Sequence, residues 1–213
     1  MAAGKWRPSD FSVLALMDLH GFDDKMKQVF WLLLHRYREV AKLQKVYSST
    51  LRDVFLATCI ILGVPVSFEF VALLHGVKKD PKKAMKLRWR VKKILSALGY
   101  GHLVQRVLEL ELRGCCRHFL MVEPSTETCN TVVDFVMKFL EKHSDIWPTI
   151  IRCRYSCLVI NACRLLRKAG AVEFCPQKLY MCRSAKKRLS VWRLMKEFLE
   201  EYLKSRPSPV QQL

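Results

Sequence analysis

The chain is predicted to be all-α, built as two tandem five-helix repeats, and three observations predict it. Apolar residues recur at helical spacing along most of its length, few segments alternate as strands do, and the sequence comes into register with itself at a shift of 104 residues. In that register Asp80 falls on Ser184, Lys82-Lys83 on Lys186-Lys187, Ile94-Leu95 on Phe198-Leu199 and Leu98 on Tyr202. Cys59 falls on Cys163, Leu62 on Leu166, Phe70 on Phe174, and Val29, Leu32 and Leu33 on Val133, Val136 and Met137.

The helices of the first repeat are expected near 10 to 20, 23 to 43, 48 to 62, 67 to 75 and 81 to 98. Those of the second are expected near 102 to 121, 125 to 143, 149 to 168, 173 to 181 and 185 to 204. Asp23-Asp24 suit a helix start, as a cap and a dipole-favoured acid. "GVPVS", "HGVKKD" and "VEPST" supply turn residues. The repeats therefore span 10–99 and 102–204, meet near Gly99 to Gly101, and leave 205–213 as a flexible tail poor in apolar residues.

"VFLATCIILGVPVSFEFVALLHGV" is long and largely apolar, yet Gly63, Pro65, Ser67 and Glu69 interrupt it. Two buried helices are expected there and no membrane span. The opening "MAAGKWRPSDFS" has no apolar signal core, and the nine cysteines form no CxxC pair. A reducing compartment is expected, with the cysteines as small buried hydrophobes and no metal site.

Composition points to the partner. With 37 Lys and Arg against 19 Asp and Glu, the net charge is +18, more than solubility asks for, and a polyanion, nucleic acid foremost, explains it. The charge is densest in "GVKKDPKKAMKLRWRVKKIL", where Asp80 and Pro81 mark a helix start. Ala84, Leu87, Val91, Ile94, Leu95 and Leu98 share one face of that helix, while Lys82, Lys86, Trp89 and Lys93 share the opposite one.

Both repeats end in a short helix, a turn and a longer basic helix, an arrangement that can lay its second helix on DNA. The DNA-contacting residues expected are Lys78, Lys79, Lys82, Lys83, Lys86, Trp89, Arg90 and Lys93, with Arg183, Lys186, Lys187, Arg188 and Arg193 in the second repeat. Few Asn or Gln lie on this face, so weak sequence preference follows. Glu197 stands where the first repeat has Lys93, which weakens the second helix as a phosphate grip, and Trp192 is expected in the core. An exposed Trp89 could lie on the sugar-phosphate backbone or fill a protein pocket.

Nothing suggests catalysis. There is no Gly-rich phosphate loop, nucleophile elbow or HExxH. His35 and His118 lie near apolar runs and are expected as core histidines. No small-molecule substrate or cofactor is expected.

These residues resemble a family. Two five-helix repeats, each with a small-residue helix carrying a cysteine ("FLATCIIL", "VINACRLL") before a basic helix-turn-helix, look like the cyclin-like repeats of transcription factor IIB, without its zinc ribbon. The same double repeat without a ribbon is found in the origin recognition complex subunit 6 family, and the resemblance is collinear over about residues 14 to 203. "GHLVQRVLELELRGCCRHFL" resembles that family's first helix after repeat one, and "NACRLLRKA" with "SAKKRLSVWRLMKEFLEE" its second-repeat ending. The resemblance implies a nuclear, non-catalytic subunit of an initiation complex that binds double-stranded DNA and other subunits. The family usually adds a linker and a docking C-terminal helix, where "KSRPSPVQQL" stands here. A ribbon-less transcription factor IIB-like initiation factor and a cyclin-like adaptor are the alternatives.

Overall fold

The computed structural model describes residues 8–74, 81–144, 154–173 and 185–205, with the backbone alone at 8–12, 81–85 and 185–190. Every regular element among them is helical. The order is α1 (Pro8–Leu19), α2 (Asp24–Val40), α3 (Ser48–Leu62), α4 (Phe68–Leu74), α5 (Pro81–Ala97), α6 (Arg106–Cys115), α7 (Glu127–Lys142), α8 (Tyr155–Lys168) and α9 (Ala185–Lys204). The helix expected at 173 to 181 and the start of that expected at 149 to 168 lie outside the described residues.

Two compact units divide the chain, Met1–Glu111 and Leu112–Leu213, and the division falls inside α6, beyond the Gly99 to Gly101 turn. In the first unit α3 is the central helix. From Val54 to Ile60 it is buried on every side, the pattern of a helix surrounded by others, and α1, α2 and α5 pack on it. Phe55 meets Phe22 and His20, each at 5.4 Å between ring centroids. Asp23 caps α2 by accepting from the Met26 N–H at 2.7 Å, and Ser67 accepts from the Phe70 N–H at 3.2 Å to start α4.

In the second unit the central place belongs to α8, whose Leu158, Val159, Ala162, Cys163 and Leu166 are fully buried, with α7 and α9 packed on it. Phe135, Phe198 and Tyr202 form its aromatic core, with Phe135 5.2 Å from Phe198 and 5.0 Å from Tyr202. Tyr202 donates to Asp134 at 2.8 Å, which satisfies its buried hydroxyl.

The 104-residue register reappears as burial within each unit. Val54, Phe55 and Cys59 of α3 are buried like Leu158, Val159 and Cys163 of α8. Leu87, Val91 and Ile94 of α5, with Leu98 just beyond it, are buried like Val191, Met195, Phe198 and Tyr202 of α9. Along α2 the register shifts, because Leu32 is 70% exposed whereas Val136 is fully buried. Moving α2 two places brings Phe30, Leu33 and Leu34 onto Val132, Phe135 and Val136, all buried.

The helix expected over 102 to 121 is three pieces: a 3₁₀ turn at Gly101–Val104, then α6, then a π turn at Cys116–Leu120. Leu112, Cys116 and Leu120, four residues apart, are fully buried, so one apolar stripe runs from α6 through the π turn. His35, expected in the core, stands 73% exposed beside Glu39. Among the described residues His20 is the buried histidine, with Nδ1 2.9 Å from the Leu16 carbonyl oxygen.

Candidate nucleic-acid interface

Helix α5 has two faces and two flanks, each with its own chemistry. Leu87, Val91, Ile94, Leu95 and Leu98 are buried against the core. Opposite them Lys86, Trp89 and Lys93 are exposed, as the helical wheel predicts. The flanks hold the two arginines beside Trp89, which a 100° step per residue sends to opposite sides of it.

Arg88 donates through Nε to Glu111 Oε2 at 2.9 Å and through Nη2 to Glu111 Oε1, a bidentate pair, with Glu69 3.8 Å away. Glu111 has no exposed surface. Burial pushes its carboxyl up to about 7, with Arg88 working against that shift. Arg90 donates to Asp53 Oδ2 at 2.5 Å, and Asp53 Oδ1 also accepts from Arg52 at 2.8 and 3.0 Å. These acids are the functional neighbours that sequence reasoning missed. Their signal was present: Asp53, Glu69 and Glu111 each interrupt an apolar run ("LRDVFLATC", "FEFVALL", "LELEL"), and a buried carboxylate requires a counter-charge.

Arg88 and Arg90 are thus bonded to acids of the protein, while Lys86, Lys92 and Lys93 are exposed. Both flanks are pinned by carboxylates, which fixes the rotation of the helix. Trp89 is left 63% exposed, forgoing burial worth on the order of 3 kcal/mol for an indole. Lys93 Nζ lies 5.4 Å from its ring centroid, within cation–π range. No acid among the described residues pairs with Lys86 or Lys93. Of the other expected contacts, Lys82 and Lys83 lie on the described backbone of α5, and Lys78 and Lys79 lie outside the described residues.

On the described part of the corresponding face of α9 the one arginine is paired with an acid. Arg193 is exposed but bonded to Glu197 at 3.0 Å, so the acid expected to weaken this helix also occupies its arginine. Lys142 of α7 pairs with Glu201, and Lys138 with Asp134 at 3.1 Å. Lys186, Lys187 and Arg188 lie on the described backbone of α9, and Arg183 lies outside the described residues. Trp192, expected in the core, is half-buried.

Cys59, Cys115, Cys116, Cys129 and Cys163 are buried and Cys157 is half-buried. Cys116 and Cys129 hydrogen-bond through their thiols, which together with burial raises Cys116, while Cys116 and the Arg113 guanidinium lower Cys129. No group of three or more metal-ligating side chains occurs among the described residues. None of their helices is long and apolar enough to cross a membrane. Compared with protein-family models, curated proteins and solved structures, the chain has no match.

Proposed function

We propose that the chain is a non-catalytic DNA-binding subunit of an initiation complex, resembling origin recognition complex subunit 6, with two cyclin-like repeats and a place in the nucleus. One observation carries the binding function: on α5 Arg88 and Arg90 are bonded to buried acids while Lys86, Lys93 and Trp89 stand outward. Ammonium groups on a fixed helix suit phosphates as point charges and read few base edges. The net charge of +18 supports the same partner. The matching burial of α3 with α8 and of α5 with α9 supports the repeat.

Replacing Lys82, Lys86 and Lys93 by Ala tests it. Binding to any duplex should weaken, and the slope of log affinity against log salt should fall by about 0.9 for each phosphate no longer held. Stability should move by less than about 0.5 kcal/mol, as for ordinary surface sites. A triple variant that binds duplex as tightly as wild type, with the same slope, removes α5 from the interface. The adaptor alternative predicts that outcome, together with loss of a protein partner.

A further inference from the structure

We propose that Trp89 is a stacking platform for unpaired bases, so that the ligand of this face is nucleic acid with an open π-face: a single strand or a bubble within a duplex. The proposal rests on reading α5 as a nucleic-acid contact and names the form of nucleic acid it prefers.

The indole is 63% exposed on a helix whose rotation is set on both sides, by Arg88 to Glu111 and by Arg90 to Asp53. It is therefore presented in a defined direction, and little backbone freedom is lost when a ligand lies on it. Lys86 precedes it by one turn, Lys92 and Lys93 follow, and all three are exposed. Lys93 Nζ lies over the ring, 5.4 Å from its centroid; a base stacking on that face takes its place, and the displaced ammonium is then within reach of the nucleotide's phosphate.

A protein pocket fits this setting poorly, because the cores of protein interfaces are depleted of lysine and this tryptophan is surrounded by it. An intact duplex fits poorly as well, since its bases are stacked on one another and show an aromatic side chain only their edges. Unpaired bases offer the flat surface, and stacking on it is indifferent to sequence. That matches a face whose described charged residues are all lysines, set around one tryptophan.

The test measures binding of the full chain, at fixed salt, to three labelled DNA probes of one mixed sequence: a single strand, the blunt duplex, and the duplex with a central unpaired bubble. For Trp89→Ala, affinity for the strand and the bubble should fall roughly 5- to 150-fold, the loss of one stacked base. Affinity for the intact duplex should stay within about twofold, and the salt slope should not change because every phosphate is still held. Trp89→Phe, which keeps an aromatic face, should retain most of the binding. The thermal midpoint of Trp89→Ala serves as the folding control, and the exposed position predicts little change. Equal weakening on all three probes, or on none, overturns the stacking role while leaving duplex binding by the lysines intact. Failure of wild type to bind any probe in a salt-dependent way overturns the nucleic-acid reading itself. A glutamate-rich peptide that binds wild type, and is lost with Trp89→Ala while the DNA probes are not, overturns the proposal in favour of an acidic protein segment.

Discussion

Glu111 is held in the core by both nitrogens of an Arg88 fork, and its carboxyl, raised to about 7 by burial, stores a pH dependence. A carboxyl raised above its ordinary value of 4.5 binds its proton more tightly folded than unfolded. Its contribution to stability is complete below about pH 4.5 and is lost as pH rises through about 7, up to roughly 3 kcal/mol in all. Urea titrations at pH 5 and pH 8 should therefore show a loss in wild type that Glu111→Gln lacks, and equal losses in both would refute the assignment. Arg88→Met should push the Glu111 carboxyl further up, so that it is protonated at pH 5, and should cost most at pH 8, up to about 3 to 5 kcal/mol, where a buried charge would be stranded. Arg88→Met with Glu111→Leu should recover most of that, since the buried charge goes with its counter-charge. The need for partners was legible in "LRDVFLATC" and "LELEL", but their identity was not. Arg52 answers Asp53 from the next position, but its second partner Arg90 and the Arg88 that answers Glu111 stand 37 and 23 residues away, a distance only the packed fold closes.

At the scale of elements, caps and apolar faces were legible because both are local. Asp23 before α2, Ser67 before α4 and the outward turn of Trp89 all follow from residues within a turn or two. The π turn at Cys116–Leu120 and the shifted register of α2 were not, since each depends on which neighbour a helix packs against. Gly63 ends α3 with φ at +74°, and a Cβ there would lie 2.9 Å from Arg106 Nη2. Gly63→Ala should therefore destabilise by about 1 to 2 kcal/mol from the left-handed backbone alone. Gly21, with φ at +71° and open space around it, is the matched control. If Arg106 yields freely at its flexible end, the two Ala variants should melt within a degree or two of each other, and a much larger loss at Gly63 would show that Arg106 is held.

On the scale of the molecule, the division inside α6 has a consequence for fragments. A piece ending at residue 101, where two glycines suggest a boundary, lacks Leu110 and Glu111 and leaves Arg88 without the acid that answers it. A piece ending at residue 115 keeps both. Denaturation followed by circular dichroism should show a cooperative transition for the longer piece and a weaker one, at lower urea, for the shorter. Equal midpoints would mean that Glu111 does not complete the first unit. The outward stripe of α5 also sets a ruler. Lys86 and Lys93 are seven residues apart, about 10.5 Å along the axis, which spans roughly three nucleotides of one strand. A footprint so short accounts for a small part of a charge of +18. If α5 holds nucleic acid as proposed, occupancy of a site would come from avidity, with each brief foothold made to last by other contacts on the same strand, and dwell time rather than sequence would decide where the protein is found.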